Sequence, residues 1–211
     1  MDVAQRLGID SADELRALLG EVKGRAATKE RVVLHQRDRE WLAASPFCVI
    51  STSAADGTCD ASPKGDPPGF TMVLDDSTIA IPERPGNRRA DGYLNILSNP
   101  HVGLLYLIPG RGETLRINGR ARLVREAPYF DRMVVSGHRP ILAVEVDIEQ
   151  IFFHCAKAFL RSQLWDPQTW NPQILPSHAR LVKELQSTSE SLEELEAYYG
   201  PDYLKQLYGG Q

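Results

Sequence analysis

Short runs of β-branched and apolar residues, each broken by Gly, Pro, Asp or Asn, succeed one another from residue 47 to residue 153, and no other feature of the chain limits its fold as tightly. The first, FCVISTSA from Phe47, meets Asp56-Gly57, a dipeptide that tolerates the positive φ of a tight hairpin, and continues into TCDASPKG. Further runs cover residues 70–74, 78–82, 101–108, 114–124 and 141–153. About six or seven strands of this kind predict a small closed barrel. One helix interrupts them: in RPGNRRADGYLNILSNP, Leu94 and Leu97 fall at helical spacing, and Asn99-Pro100 ends the segment.

Helical patterns flank the strands. Ser11 and Glu14 have capping-box spacing, and Leu15, Leu18 and Leu19 follow as the apolar stripe of a short amphipathic helix. Residues 37–44, with Trp41 and Leu42, predict a second helix that Pro46 closes. Beyond His154, CAKAFLRSQLW is helical, DPQTWNPQILP is a loop, and residues 178–208 form polar helical segments. Within these, Ser187 and Glu190 have the spacing of another capping box, and the acidic run SESLEELEAYY is expected to be a solvated helix face. The organisation is therefore a helical segment over residues 1–45, a barrel domain over 46–165 and a helical extension over 166–211. The fold class is mainly β with flanking helices, an α+β arrangement.

Composition removes several function classes. With 211 residues, 42% of them hydrophobic, the chain can bury a substantial core. Its formal net charge of −4 gives the whole molecule no electrostatic footprint for nucleic acid or an anionic membrane, so an anionic ligand must meet a local basic patch. Cys48, Cys59 and Cys155 form no CxxC pair and are expected to be buried free thiols in a reducing compartment. No stretch is apolar enough to span a bilayer or to act as a leader, and a cytoplasmic location is expected. The five histidines are scattered with no i, i+4 pair, which argues against a helical metal site. Walker, G-x-G-x-x-G and G-x-S-x-G motifs are absent. Asp75-Asp76, next to Ser77, reads as a solvated hairpin turn.

The stretch that carries chemistry is IPERPGNRRADGYLN, residues 81–95. A strand ends, a Pro/Gly loop turns, and Arg88 and Arg89 stand where a helix begins. Guanidinium forks and the free N–H groups of a helix start both favour a phosphate dianion, so these two arginines are the candidate phosphate ligands. Taken alone, such a pair is more often a solvated basic loop. Ser62-Pro63-Lys64-Gly65 lies at a strand end where proline withholds a ladder donor and can open a cleft, with Lys64 either a source of positive charge there or a plain surface lysine. In the segment from His154 to Trp165, Lys157 and Arg161 project from one helical face, next to Ser162. Trp165 offers a large rigid ring that suits either a ligand or the core.

The order of strand, hairpin, strands, Arg-Arg loop, helix, Asn-Pro and strand resembles the pyridoxamine 5′-phosphate oxidase superfamily from about Phe47 to Trp165. DASPKGDPPGF, LDDSTIAIPERPGNRRADGYLNILSNPHVGLLYLIPG, ETLRINGRA and FHCAKAFLRSQLW are similar to one bacterial branch of it. The resemblance implies an FMN-binding split β-barrel, homodimeric, with the cofactor at the subunit interface. It implies that the strand ending at Ile81-Pro82 presents its backbone to the flavin, that Arg88 and Arg89 hold the phosphate, and that Ser62, Pro63 and Lys64 lie against the ring. His154, Lys157, Arg161, Ser162 and Trp165 would complete the site from the partner subunit. His154 would donate a hydrogen bond to FMN or shuttle a proton, or else only end a strand.

The implied activity is that of an FMN-dependent oxidoreductase moving hydride to or from a small organic or nicotinamide substrate, with the chemistry carried by the flavin and no dedicated catalytic residue. Family enzymes that oxidise the vitamin phosphate end in an Arg-x-His-type motif, whereas this chain ends in ELEAYYGPDYLKQLYGGQ, which puts that substrate in doubt. Alternatives from other classes are a flavin-binding module that stores or senses FMN without turnover, and a split barrel holding F420 or haem.

Overall fold

The computed structural model describes residues 7–208. By internal contacts the chain divides into two compact units, Met1–Glu30 and Arg31–Gln211. In the first, helix α1 (Ala12–Leu19) buries no side chain. Ser11 caps it by accepting the Glu14 N–H at 3.1 Å, but Glu14 returns its carboxylate to the N–H of Asp10, so only half of the anticipated box forms.

The second unit holds one seven-stranded sheet in the order β2-β1-β5-β6-β7-β4-β3, every pairing antiparallel. The strands are β1 (Phe47–Ser53), β2 (Cys59–Gly65), β3 (Met72–Val73), β4 (Thr78–Pro82), β5 (His101–Leu107), β6 (Thr114–Val124) and β7 (Ala143–His154). Helix α2 (Gln36–Ala44) precedes them and α3 (Asp91–Ser98) crosses from β4 to β5. After β7 come α4 (Lys157–Ser162), α5 (His178–Leu185) and α6 (Leu192–Tyr198). None of the described helices is long and apolar enough to cross a membrane.

The sheet does not close by hydrogen bonding, contrary to the closed barrel expected from strand count. Its order ends at β2 on one side and β3 on the other. The gap beside β2 is spanned by side chains: Lys64 of β2 reaches Glu83 at 2.6 Å, and Asp66 reaches Arg84 at 2.6 Å, both just past the end of β4. Proline at position 63 is tolerated because β2 is an edge strand with one neighbour.

The core lies between the curled sheet and two helices. Ile50, Ile79, Ile81, Leu104, Leu115, Ile117, Val146 and Ile151 pack with Leu42 of α2 and Ile96 of α3, all nearly free of solvent contact. Side chains of this size contribute about 1.5–3 kcal/mol each when buried. Ile96 is the residue that anchors α3, while Leu94 and Leu97, the sequence's apparent apolar stripe, are exposed. Periodicity identified the helix but selected the wrong face, because Ile96 and the half-buried Tyr93 meet the sheet instead. Helices α5 and α6 form a satellite core through Ala179, Val182 and Leu195. The true capping box of α6 is Ser191 with Glu194, four residues past the Ser187 predicted, and Leu195 makes this helix packed rather than wholly solvated.

An ion pair fixes the start of the second unit. The Asp38 carboxylate is fully buried and accepts both guanidinium arms of Arg31, while also capping α2 through the His35 N–H at 2.8 Å. Arg31 in turn exchanges backbone hydrogen bonds with Ile151 of β7. Of the three cysteines only Cys48 is buried; Cys59 and Cys155 are exposed, which corrects the expectation for the set. Burial pushes the Cys48 thiol up to about 12.

Register slips by one residue between β6 and β7 at Asn118/Gly119. A Cβ on Gly119 would press into the Asp147 carbonyl oxygen, so backbone approach alone demands glycine. Gly119→Ala is expected to destabilise the fold by about 1–3 kcal/mol, the usual cost of overpacking, read as a lowered midpoint in urea; an unchanged midpoint contradicts this account of the bulge. A thiol reagent at neutral pH is expected to label Cys59 quickly in the folded protein and Cys48 only after denaturation.

Candidate functional site

A cavity of about 580 Å³ opens between the edge strand β2, the segment after β4 and the start of α3. That volume falls within the ~300–1,000 Å³ usual for cofactor and substrate clefts. Its position follows from local sequence. Pro82 and Pro85 withhold backbone donors where β4 ends, and the chain bends at Pro85 toward α3. Arg88 (φ 59°) and Ala90 (φ 60°) both take left-handed backbone, which costs a non-glycine residue about 1 kcal/mol or more. Ala90 is also the N-cap of α3, and no side chain caps that helix. The result is a tightly turned loop leading into an uncapped helix start, an arrangement that gathers backbone N–H groups and the positive helix pole for an anion.

The charged side chains around the cavity come in pairs. Lys64 Nζ lies 2.6 Å from the Glu83 carboxylate and 2.6 Å from the Tyr93 hydroxyl, with the ammonium 4.8 Å from the centre of the Tyr93 ring. Tyr93 donates its hydroxyl to the same Glu83 oxygen. Burial, reinforced by the Glu83 carboxylate, drives the Tyr93 phenol far above its ordinary value, so it stays a protonated donor throughout the physiological range. Arg84 meets Asp66, and Arg89 meets Asp91 at 2.7 Å in a largely exposed pair. Four acids and four bases therefore face the cavity, and the basic loop is locally neutralised.

Helix α3 is held against β1 and β2 by small contacts. Asn95 donates to Thr52 Oγ1 at 3.0 Å, and a Cβ on Gly92 would come within 3.1 Å of the Asp60 carboxylate. Ser62 donates to that carboxylate at 2.9 Å.

Six residues singled out from sequence, Ser62, Pro63, Lys64, Pro82, Arg88 and Arg89, line this one cavity. Ile81 does not face it: its side chain is in the main core, and its backbone pairs with Val144. His154 ends β7 opposite Thr114. Lys157, Arg161 and Ser162 are exposed on α4, where the Ser162 hydroxyl donates to the Phe159 carbonyl at 3.2 Å. Trp165 stacks on Phe159 with ring centres 5.8 Å apart and donates Nε1 to the Arg111 carbonyl at 2.7 Å. None of these last five residues lines the cavity within a single chain.

Sequence reasoning missed Glu83, Arg84, Asp66 and Tyr93. Glu83 and Arg84 lie inside the stretch that was singled out, and their side chains stand between the two arginines and β2. Tyr93 lies beside the Leu94/Leu97 stripe that spacing offered, and only the approach of β2 brings its hydroxyl to Lys64. Among the described residues, no group of three His, Cys, Asp or Glu side chains gathers as a metal site requires.

An antiparallel sheet with two unpaired edges, β2 and β3, and an arginine loop and helix start set beside β2, is the architecture of a split barrel. The sequence profile of pyridoxamine 5′-phosphate oxidase matches residues 34–155, and the chain belongs to that family. No curated protein matches the chain. Among solved structures it is similar to a putative pyridoxamine 5′-phosphate oxidase from Lactobacillus delbrueckii, at 22% identity over 59% of this chain and 98% of that one, TM-score 0.46. It is also similar to HupZ of Group A Streptococcus (18% identity, 57% of this chain and 93% of that one, TM-score 0.46). A third is a general stress protein 26 relative from Clostridium acetobutylicum (11% identity, 56% and 85%, TM-score 0.42).

Because Lys64 and Glu83 are each only 16% and 21% exposed, Glu83→Gln leaves a mostly buried ammonium without its counter-charge. The variant is expected to lose about 1–2 kcal/mol of stability, a buried-pair penalty reduced for partial solvation, measurable by urea denaturation. Wild-type stability would show that the pair is a solvated contact only.

Proposed function

We propose that the protein is a flavoprotein that binds FMN in the cavity beside Arg88 and Arg89 and works as an FMN-dependent oxidoreductase on a small organic or nicotinamide substrate. The observation that carries this reading is the strained turn at Arg88 and Ala90 leading into the uncapped start of α3, which suits a phosphate monoester. Family membership over residues 34–155 supports the same ligand.

The residues present fit such a ligand. Arg88, Arg89 and the first N–H groups of α3 would hold the phosphate, Arg89 exchanging its exposed partner Asp91 for the dianion. Pro63 and Pro82 give the cavity apolar walls on the sides of β2 and β4. The chemistry that FMN supplies when bound is hydride transfer. Lys64 would place positive charge beside an electron-rich edge of a ring, with its partners Glu83 and Tyr93 fixing its orientation.

The same proposal makes the protein a homodimer, in which the segment from His154 to Trp165 completes the partner's site. It is supported by the absence of that segment from the lining of its own chain's cavity and by the exposure of Leu160, Leu164, Trp170, Ile174 and Leu175. Mixing an Arg88→Ala/Arg89→Ala chain with an Arg161→Ala/Trp165→Ala chain is then expected to restore one flavin site per heterodimer. No recovery on mixing, or a flavin-loaded monomer by light scattering, overturns the shared site.

Arg88→Ala and Arg89→Ala are each expected to weaken FMN binding about tenfold to a hundredfold, the cost of one charge-assisted contact, with the fold intact by circular dichroism. Titration of the purified protein with FMN decides the reading: no binding, or a Soret band in the isolated protein, excludes it. Anaerobic stopped-flow with a panel of donors separates an oxidoreductase from a storage module, which would show no reduction faster than that of free FMN.

A further inference from the structure

The last described residues return to the cavity from the far end of the chain. After α6, a 3₁₀ turn over Pro201–Gln206 delivers Leu207 and Tyr208, both of which line the cavity. The Tyr208 hydroxyl donates to Asp66 Oδ1 at 2.5 Å. Its ring stacks on the His138 imidazole, with centroids 6.1 Å apart and planes at 20°, and the Arg84 guanidinium lies 5.7 Å from its centre.

The seat for this ring is built independently of it. Asp66 and Arg84 pair at 2.6 Å with side chains only 2% and 12% exposed. Arg84 is further fixed by donating to the carbonyls of Met133 at 2.6 Å and His138 at 3.2 Å. A second cavity, of about 450 Å³, lies on the other side of the Glu83–Arg88 segment, walled by Tyr198, Tyr199 and Tyr203, and Leu207 lines both. The tail therefore forms part of the partition between the two spaces. Its hold is polar and local: neither Leu207 nor Tyr208 belongs to any buried core cluster.

We propose that Leu207 and Tyr208 are a C-terminal strap of the ligand site, latched through Tyr208 onto the Asp66–Arg84 pair, whose release opens the cavity and sets how fast a phosphate-bearing ligand leaves. The proposal rests on the flavin reading for the identity of that ligand and on the tail geometry for the strap itself. A strap of this kind makes the helical extension part of the site rather than an appendage, and it contributes a wall that the family-matched residues 34–155 do not supply.

The test uses the full chain, a Tyr208→Phe variant that keeps the ring but not the hydrogen bond, and a chain ending at Gln206. FMN release, followed as recovery of free-flavin fluorescence after dilution, is expected to quicken about tenfold in Tyr208→Phe and further in the shortened chain, as the loss of one hydrogen bond to a charged partner and then of the whole latch implies. A second reading needs no flavin: modification of Lys64 by an amine reagent, quantified by mass spectrometry in ligand-free protein, is expected to rise several-fold when the tail is removed. Wild-type release rates in both variants, or an unchanged Lys64 rate in the shortened chain, overturn the strap. If the full chain binds no FMN, the flavin reading fails, while the Lys64 rate still decides the strap; Tyr208→Phe, which preserves packing, keeps the release test valid should the shortened chain misfold.

Discussion

The pairing of β6 with β7 carries both halves of the sheet. β5, β1 and β2 hang from β6, while β4 and β3 hang from β7, so the two free edges are set by this one ladder. It is also where the chain places its least negotiable residue, since the slip at Asn118/Gly119 brings the Asp147 carbonyl too close for any side chain. Such a slip bends and twists a strand pair. Curling the sheet brings β2 round toward the end of β4 without hydrogen-bonding it there, and the space left between them is the candidate site. Arg31 pairs with the same ladder through Ile151, and its ion pair with the buried Asp38 links that pairing to α2.

Electrostatics at the opening are balanced rather than basic. Lys64, Arg84 and Arg89 each hold a carboxylate, from Glu83, Asp66 and Asp91. Two of these pairs are largely buried and structural in character: they close the gap that the strands leave unbonded. The third is exposed and sits on the turn, which makes Arg89 the cation that can change partners at least cost. The opening therefore presents the fixed backbone of a turn and helix start rather than surplus charge. That division agrees with a molecule whose overall charge is −4.

The extension after β7 changes what the site is made of. Helices α5 and α6 pack on one another through Ala179, Val182 and Leu195, a core too small to be independent, and the tail they carry ends on the Asp66–Arg84 pair. One buried ion pair thus serves the sheet opening and the tail together.

What the sequence determined by itself was local. Alternating runs and turn residues placed the seven strands to within a few residues, with β7 beginning at Ala143 rather than 141 and β3 shrinking to Met72–Val73. Pro82, Pro85 and the adjacent arginines marked the loop, because proline and helix-start chemistry act over a few bonds. The same locality explains the errors: Leu94 and Leu97 face solvent, the helix box is Ser191 with Glu194, and two of the three thiols are exposed, since spacing gives a period but not the side from which the rest of the protein arrives. The partners of Lys64, Arg84 and Tyr208 lie 19, 18 and 142 residues away in sequence. Only tertiary folding decided those contacts, because they exist where a curled sheet brings its unpaired edge β2 against the end of β4 and the tail returns to cover the seam.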